Sequence, residues 1–62
     1  MSELTREERR IYEFLARLQR SGLPLDPWSA DLVRNLIDHP RCLDLAQRQA
    51  VDALRQKHPQ FA

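Results

Sequence analysis

A single all-α domain of three short helices is the fold this sequence predicts, and three observations predict it. Apolar residues recur at helical spacing in three separate stretches, each stretch opens on a capping residue, and Gly22, Pro40 and Pro59 stand where the stretches stop. No run alternates apolar and polar residues as a half-buried strand would. Helices are expected at about residues 5–21, 27–38 and 44–58, in one domain spanning 1–62, since 62 residues leave no room for a second.

The first helix opens at Thr5 with Glu8 three residues on, a capping box in which hydroxyl and carboxylate satisfy each other's backbone amides. Ile11, Phe14, Leu15 and Leu18 line one face, and Leu4 extends that stripe by a heptad. Glu7 and Glu8 fall in the first turn, where the helix dipole accounts for them. Glu13 and Arg17 form an i,i+4 pair in the favourable order. Gly22 can take the left-handed conformation that closes a helix.

Leu23-Pro24-Leu25 is a stiff connection, because Pro24 fixes its own φ and keeps Leu23 out of the helical region. Leu25 is placed to staple onto Ala30. Asp26 caps the second helix and Pro27 suits its first position. Trp28, Leu32, Val33, Leu36 and Ile37 then make the densest apolar stripe in the chain, so this helix is expected at the centre of the domain. His39-Pro40 stops it.

Asp44 caps the third helix with Gln47 in the reciprocal position. Its inner face reads Ala46, Ala50, Val51 and Leu54, with Leu43 before it and Ala53 beside it. Lys57 and His58 suit the negative end of the helix dipole, and Pro59 ends the helix. Phe61 either folds back on the core or stays exposed.

Composition narrows the function. Ten Lys and Arg face nine Asp and Glu, a formal net charge of +1. That balance argues against a dedicated nucleic-acid coat, which carries a clear basic excess. Nine of the ten bases are arginine, the residue suited to planar, bidentate contacts. A lone Cys42 permits no internal disulfide and suits a reducing cytoplasm. No apolar run is long enough to span a membrane, and Met1-Ser2-Glu3 lacks the character of a signal peptide, so a cytoplasmic protein without membrane contact is expected.

No metal, cofactor or catalytic residue is assigned. His39, Cys42 and His58 lack the paired spacing of a zinc site, and Cys42 is read as a small buried hydrophobe. A Cys42 nucleophile would need a base, an orienting group and a cleft, which a domain this small can hardly enclose. With one glycine there is no phosphate-cradling loop. The chain reads as a non-enzyme.

Three binding readings remain. Leu23, Leu25, Trp28, Leu45 and Phe61 exceed what three inner stripes require, and an apolar patch rimmed by arginines would suit a partner protein. The contact residues on that reading are Trp28, Leu25, Arg17, Arg20, Arg48 and Phe61. Against it, Trp28 and the leucines would simply fill the core. The alternative is nucleic acid held by Arg41, Arg48 and Arg55, which repeat every seven residues along the third helix; Arg6, Arg10, Arg17 and Arg20 around the first helix, interrupted by Glu13, are a second row that could track phosphates. Asp44 and Asp52, each four residues from Arg48, make a salt-bridged solvent face the plainer account of the third-helix row. Self-assembly is a third possibility, with Leu4, Ile11 and Leu18 sealing a homodimer.

Trp28, Asp31-Leu32-Val33, Leu36-Ile37, Leu43-Asp44, Gln47, Val51 and Leu54 follow a tryptophan helix, short loop and capped helix. In this, residues 28–57 resemble a helix–loop–helix segment of bacterial and phage accessory proteins that work beside nucleic-acid-processing domains. Asp44 stands where Ser or Thr is common, and Ala46 where Lys is frequent. The resemblance implies a bacterial or phage adaptor near replication, recombination or transcription machinery, and brings no catalytic residue.

Overall fold

The computed structural model describes residues 3–62, which form three α-helices and one closing turn: α1 (Arg6–Ser21), α2 (Pro27–Asp38), α3 (Leu45–Lys57) and the 3-10 turn Pro59–Phe61. There is no strand among them. The three helices match the expected ones to within their caps: Thr5, Asp44 and His58 flank the helices instead of belonging to them.

Both predicted capping boxes form. The Thr5 hydroxyl accepts from the Glu8 amide at 3.1 Å, and a Glu8 oxygen accepts from the Thr5 amide at 3.0 Å. At α3 the corresponding distances are 2.8 Å for Gln47 N–H to Asp44 and 3.2 Å for Asp44 N–H to Gln47. Each of these two helices therefore starts with its N-cap amide and its third amide satisfied by sequence-local groups.

Gly22 closes α1 with φ 74°, its amide donating to Gln19 O at 3.3 Å. A Cβ added there would meet nothing within 4 Å, so space is not what demands glycine. The backbone is: an L-residue in this left-handed well costs about 1–2 kcal/mol. Gly22→Ala is therefore expected to lower stability by about 1 kcal/mol, measured by urea titration, with helix content unchanged. A neutral result would mean the turn relaxes out of the left-handed well.

The core consists of Ile11, Phe14, Leu15 and Leu18 from α1, Val33 and Leu36 from α2, Leu43 ahead of α3, and Val51 and Leu54 from α3. The domain is thus built around α1 and not, as expected, around α2. On α2 the buried positions are Ser29, Val33 and Leu36, while Leu32 and Ile37 are half-buried. The inward face is centred one residue away from Trp28, and one residue is about 100° around a helix. That rotation carries Trp28 outward, so it is no part of the core. Ser29 takes the inward place because Asp26 accepts both its amide at 3.1 Å and its hydroxyl at 2.7 Å.

Two further expectations are corrected. Cys42 is exposed rather than buried. On α3, Val51 and Leu54 are buried and Ala50 half-buried, but Ala46 faces solvent. Phe61, left open by the sequence, folds back: the closing turn, with Phe61 N–H donating to His58 O at 3.1 Å, lays its ring half-buried against the core.

One tie was not foreseen. Glu8 is 2% exposed, and besides capping α1 it accepts the Leu43 amide at 2.9 Å, joining α1 to the start of α3. The Thr5 amide, then the Leu43 amide, hold its carboxyl below the ordinary carboxylate range. Next to it, the Tyr12 hydroxyl donates to Arg41 O at 2.6 Å and accepts from Arg41 N at 2.8 Å. Together these side chains fasten the 39–44 connection to α1.

Candidate functional site

The apolar surface concentrates where α1 hands over to α2. Residues 22–26 form this connection, and Leu23, Pro24, Pro27 and Trp28 are all exposed along it and the first turn of α2. Trp28 is 64% exposed and Leu23 38%. Backbone freedom here is small, since Pro24 and Pro27 fix φ and Gly22 sits in its cap. The Ser21 hydroxyl adds a brace, donating to Leu18 O at 2.6 Å and accepting from Leu23 N–H at 3.2 Å.

Asp26 completes this rigidity. Its carboxyl is held below the usual carboxylate range first by the Ser29 hydroxyl and then by the Ser29 amide. The charged form is thereby favoured, which keeps the cap made and the Trp28 backbone fixed at neutral pH.

Behind the connection lies a groove of about 280 Å³ between the end of α1 and the start of α2. Leu18 and Val33, both buried, belong to its base; Leu23, Leu25 and Ala30 are its other apolar lining, with Gln19, Asp31 and Arg34 as polar groups. Leu25, half-buried, and Ala30, exposed, the pair expected to staple, both line this groove. Trp28 does not line this groove: two residues before Ala30, it lies on the other flank of α2, so the groove and the tryptophan are separate features of one rigid connection.

Of the partner-binding residues expected from sequence, Trp28 and Leu25 share this region, and Arg20 lies in the last turn of the helix that leads into it. The others lie elsewhere. Arg17 pairs weakly with Glu13 at 3.9 Å and donates to the Phe61 carbonyl at 3.4 Å, so those two residues are joined to each other. Arg48 reaches across to Glu7 at 3.7 Å. Leu45, although 72% exposed, stands alone at the start of α3.

The Arg41, Arg48, Arg55 row does not form as expected. Arg41 precedes α3, and its guanidinium donates to Asn35 Oδ1 at 2.7 Å and to His39 O at 2.8 Å. Arg55 pairs with Asp52 at 3.9 Å, and Arg48 takes Glu7 rather than either predicted neighbour on its own helix. Nor is the Leu4, Ile11, Leu18 stripe available for a dimer: Ile11 and Leu18 are buried in the domain's own core and Leu4 is half-buried. No helix among the described residues is long and apolar enough to cross a membrane, and no three His, Cys, Asp or Glu side chains there group as metal ligands.

Comparison with family models, with curated proteins and with solved structures returned no match to this chain.

Proposed function

We infer that the protein is a non-enzymatic adaptor or regulator that binds another protein through the α1–α2 connection. The observation that carries this reading is the outward Trp28 on a backbone fixed by two prolines and a capped helix start. An exposed tryptophan costs a free domain solubility and contributes nothing to its core, whereas at an interface it is among the side chains that contribute most. Leu23 adds exposed apolar area on the same connection. The resemblance of residues 28–57 suggests a bacterial or phage setting and a partner within replication, recombination or transcription machinery, and the lone Cys42 suits a cytoplasmic location.

The test is affinity capture from host lysate, with and without nuclease, comparing the natural protein with Trp28→Ala and Leu45→Ala. A partner retained after nuclease, lost with Trp28→Ala and kept with Leu45→Ala is the expected result. Trp28→Ala should meanwhile shift stability by no more than about 0.5 kcal/mol, as exposed positions do. Capture that disappears with nuclease, or that Trp28→Ala leaves intact, would overturn the reading.

A further inference from the structure

A second cleft, of about 520 Å³, opens between the first turns of α1 and the last turn of α3. Arg6, Arg10 and Arg55 line it, with Glu7 as the one acid among them. Glu7 is already engaged by Arg48 at 3.7 Å, and Arg55 has only Asp52, at 3.9 Å. Among the described residues, Arg6 and Arg10 have no acidic partner within 4.0 Å and no side-chain hydrogen bond. The cleft itself therefore holds three guanidinia and one carboxylate, on a chain whose net charge is only +1. Three arginines from two helices thus share one carboxylate, which Arg48 also engages, and the local positive excess favours an added anion.

We propose that this cleft binds a phosphate group, carried either by a small phosphate compound or by a nucleic-acid strand. The choice of phosphate follows from geometry. A carboxylate offers two oxygens in one plane and saturates one or two guanidinium forks. A phosphate presents its oxygens tetrahedrally and can serve three forks arriving from two helices. The start of α1 lies in the same wall, and its dipole adds to the attraction without being its source. This site is separate from the Trp28 surface. It draws on both arginine rows expected from sequence, taking Arg6 and Arg10 from the first helix and Arg55 from the third, while Arg41 is engaged by Asn35 and Arg48 by Glu7.

The test follows the arginine Nε–H signals of the full chain by NMR at low ionic strength. Inorganic phosphate, a nucleoside triphosphate, a single-stranded oligonucleotide and poly-glutamate are titrated separately. Shifts at Arg6, Arg10 and Arg55 with the phosphate-bearing probes are expected, and Arg10→Glu should weaken binding at least tenfold. Arg9→Glu, an equal charge change at an exposed position outside the cleft, should weaken it far less. Binding of the triphosphate and phosphate alone identifies a small phosphate ligand. Preference for the oligonucleotide, with a salt slope that falls by about 0.7 on losing Arg10, identifies a strand. The proposal is overturned by absence of any shift with phosphate probes, by equal effects of Arg9→Glu and Arg10→Glu, or by poly-glutamate binding as well as the phosphates.

Discussion

Phe14→Ala is expected to abolish the cooperative thermal transition of this protein. Phe14 is 1% exposed and is the one fully buried aromatic: Tyr12 and Phe61 are half-buried and Trp28 faces solvent. Truncating such a ring costs about 3–5 kcal/mol, the lost transfer energy plus the cavity left behind. A domain of 62 residues has about 3–9 kcal/mol in total at the usual stability per residue. Cys42 stands alone, so no internal disulfide restrains the unfolded chain. A single core in so short a chain seldom supplies more than about 3–5 kcal/mol, the low end of that range, so the loss consumes most or all of the margin. Circular dichroism at 222 nm should show a broad, non-cooperative decline with temperature. Phe14→Leu, which retains most of the volume, should still melt cooperatively at a lower temperature. A sharp transition for Phe14→Ala close to that of the natural protein would show that the ring is not the centre of the core.

That the core belongs to α1 could have been read from its stripe. Leu4, Glu8, Ile11, Leu15 and Leu18 follow spacings of four, three, four and three, which places Glu8 on the inward face together with the leucines. Attributing Glu8 to the capping box and the helix dipole was correct for one oxygen and left the other unassigned. The helix limits, both capping boxes and the left-handed Gly22 were legible because they depend on groups within four residues of one another. The orientation of Trp28 was not. It turns on whether Ser29 or Trp28 faces inward, and a stripe containing a large apolar residue favours the wrong one until the Asp26 cap on Ser29 is weighed. The arginine partners were hidden for a related reason. Helical spacing offers Arg48 two acids on its own helix, while the packing of α3 beside α1 offers Glu7. Tyr12, which pins the Arg41 backbone 29 residues away, has no local signature at all.

Glu8 makes a prediction about pH as well as about sequence. Its two oxygens accept from two backbone amides, Thr5 and Leu43, and both amides can only donate. Glu8→Gln places an amide NH₂ where one acceptor is required, so one N–H must face another inside the fold. The substitution is isosteric, yet it should destabilise nearly as much as Glu8→Ala and release the start of α3 from α1. Protonating the natural carboxylate does the same thing, because the added O–H replaces an acceptor with a donor. The sign follows from the direction of the shift. The folded-state pKa is lowered from 4.5, so the folded protein binds the proton less readily than the unfolded chain. The stabilisation is fully present above the unfolded value of about 4.3–4.5 and is lost as pH falls through the lower folded value. Thermal melts between pH 7 and pH 2 should therefore show the natural protein losing stability on the acid side. Glu8→Gln should begin lower and lose less over the same range. The remaining slope belongs to the other carboxylates, among them Asp26, whose pKa is lowered by Ser29. Parallel acid profiles for the two proteins would mean that the tie between Glu8 and Leu43 does not hold the folded state together.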